Sequence, residues 1–188
     1  MHLGDTLTTG TPRHPHHPGC PIILSYTQKP HMTFSDFVAT RPMVQAQVND
    51  VLRYTESLVN ALDENYRLHT TKSHQNAIAK NGIVDESYVP YHEKCLEQIR
   101  NGTYDYRMNF YIVESRKYLR IEMETGVNHD GSVKQKSIHA FIDKKTGEVY
   151  KPATWKSPAK HVRFNLMDKQ SRDNCYRRAD WAGSYLYK

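Results

Sequence analysis

The sequence has only three cysteines among its 188 residues, and it has no apolar run that approaches the length of a bilayer crossing. Cys20, Cys95 and Cys175 are widely spaced and odd in number, which indicates reduced thiols rather than a disulfide framework. A membrane helix needs about 20 consecutive apolar residues, and the N-terminus lacks a basic segment followed by an apolar stretch. The sequence therefore predicts neither a membrane anchor nor a secretory signal, and we expect a cytosolic protein.

Signatures of common catalytic and cofactor sites are also absent. The sequence has no Gly-x-x-x-x-Gly-Lys phosphate loop, no dinucleotide fingerprint, no Gly-x-Ser-x-Gly elbow and no paired acidic cluster of the two-metal kind. Prolines separate the histidines of residues 14–17 from Cys20, and no second ligand pair follows at zinc-finger spacing. His69 and His74 are five residues apart in a polar segment, which is not the four-residue spacing of paired metal ligands on a helix. We therefore predict no metal and no cofactor.

What remains is the composition of one folded domain with a tail. Hydrophobic residues make up 38% of the chain and charged residues 24%, which suffices for a buried core. Prolines and glycines interrupt residues 1–33, so this segment is predicted to be a flexible N-terminal arm with one apolar docking point at residues 22–24. Residues 34–188 are predicted to form a single domain.

Three helices are predicted. Apolar residues at spacings of three and four indicate a long helix over about 43–67, and the polar residues 68–84 after it are predicted to be a loop. A shorter helix is predicted from about residue 85 to the Asn101-Gly102 stop, and a C-terminal helix from Ser171, as N-cap, to Trp181. The inward-facing residues of the shorter helix are predicted to be Tyr88, Leu96 and Ile99.

From Tyr104 the apolar period changes to two, which is typical of strands with one buried face. A polar loop is predicted over 125–135, and another over 155–160. Consecutive strands with short connections most simply form an antiparallel meander, whose apolar face one long and one shorter helix would cover. The predicted fold class is therefore α+β with a four-stranded meander. The predicted strands lie at about 104–112, 119–123, 137–142 and 148–151.

Positive charge is concentrated in a basic C-terminal extension. Residues 134–188 hold thirteen Lys or Arg and five Asp or Glu, a net charge of +8, whereas residues 1–133 have a net charge of −2. Basic groups neutralise phosphates and aromatic rings stack on bases, so this mixture favours a nucleic acid or nucleotide ligand. The alternative is that the aromatic residues pack in the core and the cations are merely solvated. The candidate phosphate contacts are Lys156, Lys160, Arg163, Arg172, Arg177 and Arg178, and the candidate stacking residues are Tyr150 and Trp155.

His139 is a weak candidate for a catalytic residue. Alternation in the third predicted strand puts Ile138 and Ala140 on one face and His139 with Phe141 on the other. An imidazole on an open face near the 155–160 loop is able to act as a general base if a carboxylate orients it. The alternative is a hydrogen-bonded structural histidine, and overall the sequence leans toward a protein that is not an enzyme.

The C-terminal part of the chain carries a resemblance, which lies in Ser137–Lys160, Arg163–Leu166 and Arg178–Gly183. These last 50 or so residues resemble a family of small tailed-bacteriophage proteins of unassigned function. The resemblance implies expression in a bacterial cell, and hence a location in the host cytoplasm or the virion, and it implies no reaction.

The function that these observations favour is a phage accessory protein that binds a phosphate-bearing ligand, with nucleic acid preferred, through its basic and aromatic C-terminal surface. Two alternatives belong to other classes. One is a virion structural protein or an inhibitor of a host factor, acting as a homo-oligomer or with a virion partner. The other is a small nucleotide-binding or nucleotide-processing protein that uses His139.

Overall fold

The computed structural model describes residues 34–84, 86–127 and 132–187. The predicted N-terminal arm over 1–33 lies outside these described residues. Within these residues, five strands and three helices form an α+β fold, with single turns of 3-10 helix at Glu86–Tyr88 and Ser184–Leu186. The elements are α1 (Phe34–Val84), α2 (Val89–Arg100), β1 (Met108–Glu114), β2 (Tyr118–Val127), β3 (Val133–Asp143), β4 (Glu148–Pro152), β5 (Pro158–Asn165) and α3 (Lys169–Arg178).

Helix α1 is a single helix of 51 residues, about twice the predicted length. Residues 68–84, predicted to be a loop, continue the helix, and Pro42, predicted to precede it, lies inside it. A loop was predicted because the segment lacks a broad apolar stripe. The prediction was wrong because the segment contains no helix-breaking proline or glycine before Gly82. The helix backbone satisfies its threonines, since the Thr70 and Thr71 hydroxyls donate to carbonyl oxygens one turn earlier at 2.9 and 2.8 Å.

The strands form one antiparallel sheet in the order β1-β2-β3-β4-β5, so each strand pairs with its neighbours in sequence. The predicted number of four strands was one too few. Strand β5 was missed because its side chains are largely basic or polar and only Phe164, which pairs with Val149, supplies a buried apolar group. The loop predicted over 125–135 is strand at both ends, and residues 128–131 within it lie outside the described residues.

One face of the sheet packs against α1, which carries Val51, Leu58 and Leu62 at helical spacing, all fully buried. Thr55 lies in the same stripe, and its hydroxyl donates to the Val51 carbonyl at 2.7 Å, which satisfies the buried polar group. Burial of each large aliphatic side chain contributes about 1.5–3 kcal/mol, so this stripe fixes α1 across the sheet. The sheet residues beneath it include Leu119, Ile121, Ala140, Ile142 and Val149.

Both shorter helices pack against α1, and α3 also packs against the edge strand β5. Helix α2 packs on the C-terminal half of α1 and buries Ile99, but Tyr88 precedes the helix and is exposed, so its predicted inward position was wrong. Helix α3 is capped by Asp168, whose side chain accepts from the Ser171 N–H at 2.7 Å. Ser171 was predicted to be the cap, but its hydroxyl accepts from the Asn165 N–H at 2.8 Å instead.

Among the described residues, side chains of the sheet itself line its opposite face. Phe141 is only 1% exposed and lies against Tyr118, with ring centroids 5.7 Å apart. Tyr118 in turn contacts Tyr150 at 6.3 Å. Glu122 is also buried here and pairs with Arg120 at 3.0 Å. Within the described ranges, an aromatic layer and an ion pair therefore occupy the face opposite α1.

Gly147, in the turn between β3 and β4, occupies a position that suits glycine. Its φ is +70°, and a Cβ there would lie 2.8 Å from Met167 Cγ and 3.2 Å from the Met167 nitrogen. We expect Gly147→Ala to lower the free energy of unfolding by about 2 kcal/mol, because the left-handed backbone is strained for alanine and Met167 must move. Urea unfolding measures this loss.

The matched control for this prediction is Gly102→Ala. Gly102 has the same φ of +70°, but a Cβ there meets nothing within 4 Å. This substitution has the backbone cost alone, about 1 kcal/mol. Equal losses at the two glycines would show that Met167 does not restrict residue 147.

Candidate nucleic-acid interface

The β4–β5 hairpin brings together three of the predicted ligand contacts, Trp155, Lys156 and Lys160. Its turn is fixed by Thr154, whose hydroxyl oxygen accepts the N–H groups of Lys156 and Ser157 at 3.2 and 3.1 Å. Trp155 is 44% exposed, and both lysines are exposed. A closed turn therefore holds a large aromatic ring and two cations in solvent at one end of the sheet.

The two hairpin lysines form no ion pair with the described carboxylates. Across the ranges 34–84, 86–127 and 132–187, no carboxylate lies within 4 Å of Lys156 or Lys160. Lys144, by contrast, pairs with Glu114 at 2.6 Å, and Lys169 pairs with Asp173 at 2.6 Å. The positive charge of the hairpin therefore remains available to an anionic ligand.

The arginines of α3 lie on a different element, on the side of the sheet that carries α1. Arg172 is held in place, since its guanidinium donates to the Leu166 carbonyl at 2.6 Å and lies 4.0 Å from the centroid of the Tyr54 ring. Arg177 and Arg178 are exposed in the last turn of α3, where cations also compensate the helix dipole. The hairpin and α3 therefore present separate groups of cations.

Two further predicted contacts, Tyr150 and Arg163, lie within β4 and β5 themselves, away from the hairpin turn. Tyr150 is half-buried, its hydroxyl donates to Glu148 at 2.6 Å, and burial together with this carboxylate raises its pKa. Arg163 is half-buried in β5, at the point where the register with β4 shifts. Trp155 is therefore the more accessible of the two predicted stacking residues.

His139 does not lie where alternation placed it. Ile121 pairs with Ala140 and Glu122 with Ile138, so His139 is an extra residue in the β3 ladder, a β-bulge. The prediction that His139 shares a face with Phe141 was wrong, because the bulge turns the imidazole into the core.

In that position His139 is enclosed by aromatic rings. It is 6% exposed, its Nε2 lies 3.2 Å from the Tyr185 hydroxyl, and the Phe110 ring packs edge-on at 5.2 Å. Burial lowers the pKa of His139 to about 4, against a smaller opposing effect of Asp180. The imidazole is therefore neutral and hydrogen-bonded at neutral pH.

Sequence reasoning missed an open cleft of about 540 Å³ between α1, α2 and the segment before β1. Residues 68–84 are helical, so side chains of α1 follow one another along this cleft. A loop would have dispersed them. Tyr66, Thr70 and His74 recur every four residues, which is the sequence signal that was overlooked. We name this feature the aromatic cleft; its ring-bearing and basic lining residues are Tyr66, His69, His74, Tyr91, His92, Tyr104, Arg107 and Trp181.

Polar contacts organise the interior of the aromatic cleft. His74 Nδ1 lies 2.9 Å from His92 Nδ1, and His74 Nε2 lies 3.2 Å from the Tyr104 hydroxyl. Burial, and secondarily His92, lowers the pKa of His74. At the other wall, the Trp181 ring contacts His69 at 4.8 Å and Tyr66 at 5.7 Å.

Trp181 connects the aromatic cleft to the end of β4, beside the hairpin turn. It also lines a second cavity of about 280 Å³, together with Lys151 and Pro152 at the end of β4. Lys151 Nζ lies 3.8 Å from the centroid of the Tyr187 ring, which is 63% exposed. The hairpin, the Lys151–Tyr187 pair and the aromatic cleft therefore follow one another along one end of the sheet.

In the described part of the chain, no group of three or more His, Cys, Asp or Glu side chains is placed to hold a metal ion. None of its helices is both long and apolar enough to cross a bilayer, and α1 is long but polar. Cys95 and Cys175 are both buried.

The chain is a small α+β protein whose antiparallel meander is covered by helices on one face. One end of the sheet carries exposed aromatic and basic groups. The chain belongs to a family of unknown function, DUF7717, whose profile matches residues 34–188. The match begins where α1 begins and covers all the residues that the structure describes. No curated protein and no solved structure matches the chain.

Proposed function

We propose that this protein binds nucleic acid, with the β4–β5 hairpin as its principal contact. The observation that carries the proposal is the exposed Trp155 on a closed turn beside Lys156 and Lys160, which lack acidic partners within the described residues. Lysines supply phosphate contacts, and an indole ring stacks on bases of any sequence. A role as a phage accessory protein in the host cytoplasm or virion, which the resemblance implies, is part of the same proposal.

The geometry supports a modest, salt-sensitive affinity. Two lysines neutralise about two phosphates, and each contact with a single strand steepens the dependence of log K on log salt by about 0.7. Stacking on an aromatic ring contributes about 1–3 kcal/mol per base. Arg177 and Arg178 are on α3 and enter the proposal only as secondary contacts.

The test is the affinity for a labelled oligonucleotide, measured by fluorescence anisotropy over a range of salt concentrations. We expect Lys156→Ala/Lys160→Ala to reduce the salt slope by about 1.4 and Trp155→Ala to weaken binding by about tenfold at every salt concentration. The matched control is Lys80→Ala/Lys94→Ala, which removes two exposed lysines from α1 and α2.

Two results would end the proposal. One is the absence of binding to single-stranded or duplex DNA or RNA at low salt. The other is an equal loss of affinity in the hairpin variant and in the control variant, since a general loss of positive charge would then explain it.

A further inference from the structure

The aromatic cleft has the size and lining of a site for one planar ring system. Its volume of about 540 Å³ lies within the range that small-molecule sites occupy. One wall is formed by His69 and Trp181, and the other by Tyr91 and Tyr104. Tyr91 is 57% exposed, so this wall is open to solvent.

The polar groups of the aromatic cleft suit the edge of a nucleobase. Because one imidazole donates and the other accepts in the His74–His92 contact, the pair offers both a donor and an acceptor when a ligand separates the two rings. Arg107, exposed at the rim, is placed to meet a phosphate. Stacking walls, a base-edge reader and a cation at the rim therefore occur in one cleft.

The surface that leads to the aromatic cleft from the hairpin has the same chemistry. Trp155 is followed by the Lys151–Tyr187 pair and then by Trp181, which lines both cavities. An unpaired base presents its ring faces to such a surface, whereas the faces of a base within a duplex are covered by its neighbours. The continuity thus favours a single strand over a duplex.

We propose, building on the nucleic-acid binding proposed above, that the aromatic cleft seats one unpaired base of a single strand whose backbone is held at the β4–β5 hairpin. The hairpin supplies phosphate contacts and a first stacking ring. The cleft supplies the terminal stacking site, which makes single strands the preferred ligand. A free mononucleotide carries the same base and phosphate chemistry, and the experiment separates these two sources.

The experiment uses the only two tryptophans of the sequence, Trp155 and Trp181, as separate reporters. Full-length Trp155→Phe retains Trp181 as its sole tryptophan, and full-length Trp181→Phe retains Trp155. Each protein is titrated with a thymidine oligonucleotide of about 12 nucleotides, with a duplex and with thymidine monophosphate. Anisotropy of the labelled oligonucleotide shows in parallel whether each variant binds.

We expect the single strand to quench Trp181 fluorescence in Trp155→Phe by about half, and the duplex to leave it unchanged. We expect His69→Ala to weaken single-strand binding about fivefold, while Gln75→Ala, another exposed α1 variant, leaves it unchanged. Quenching of Trp155 by the oligonucleotide without quenching of Trp181 would overturn the cleft inference and leave hairpin binding intact.

Two other outcomes are equally decisive. Quenching of Trp181 by thymidine monophosphate to the same extent, at the same concentration of bases, would show a free-nucleotide site and overturn the assignment to a strand. Absence of oligonucleotide binding by the unsubstituted protein would remove the proposed function itself, and the cleft inference with it.

Discussion

Phe141→Ala is expected to lower the free energy of unfolding by about 3–5 kcal/mol, a large part of the 5–15 kcal/mol typical of a domain. Phe141 is 1% exposed although it lies on the sheet face that no described helix covers. Its cover is the Tyr118 ring at 5.7 Å and the neighbouring Tyr150, with which it pairs in the sheet. Removing the Phe141 ring leaves a cavity. Tyr118 and Tyr150 fill it only in part, because Tyr118 is held in β2 and the Tyr150 hydroxyl is bonded to Glu148.

The control for this prediction is Phe141→Leu, which keeps most of the apolar volume and should cost about 1–1.5 kcal/mol. Urea unfolding of the two variants measures both losses. A loss below about 1 kcal/mol for the alanine variant would show that the aromatic layer collapses readily onto the sheet. In that case the uncovered face contributes little to stability, and the helix-covered face supplies the core alone.

The antiparallel meander and the helix-covered face were predictable because their signals are local. Leu119, Ile121 and Phe110 alternate with polar residues along their strands, and Val51, Leu58 and Leu62 recur at helical spacing. The Asn101-Gly102 helix stop was also predicted, and Gly102 has a φ of +70° there. In each case the signal lies within one short stretch of sequence, so the sequence alone suffices.

The elements that were missed are stabilised by partners distant in sequence. The second half of α1 is polar, and its stability depends on α2, which packs against it. Strand β5 is basic, and its position depends on pairing with β4 and on Phe164. The bulge at His139 is set by the register between β2 and β3, which no pattern within a single strand reveals.

The candidate site was predictable only in its hairpin part. Lys156, Lys160 and Trp155 are close in sequence, so a charge count by segment finds them together. The aromatic cleft combines residues from α1, α2 and the C-terminus, such as His74, His92 and Trp181. Because they come together only through packing, the error in the 68–84 segment also concealed the cleft.

The buried imidazole of His139 is expected to make the protein less stable as the pH falls from 7 to 5. Burial lowers its pKa to about 4 in the folded state, whereas the unfolded value is about 6.5. Between these two values the unfolded chain binds a proton that the folded chain excludes, so lower pH favours unfolding. The expected contribution is a loss of about 2 kcal/mol at pH 5 relative to pH 7, growing to about 3 kcal/mol near pH 4.

The measurement is the free energy of unfolding in urea at several pH values, compared between the unsubstituted protein and His139→Gln. Glutamine keeps a polar group near the Tyr185 hydroxyl, which lies 3.2 Å from His139 Nε2, but it does not titrate. Other groups, including His74 with its lowered pKa, affect both proteins alike, so the difference between the two curves isolates His139. Parallel curves from pH 7 to pH 5 would show that water reaches the imidazole and that the β-bulge does not enclose it as the packing against Phe110 and Tyr185 indicates.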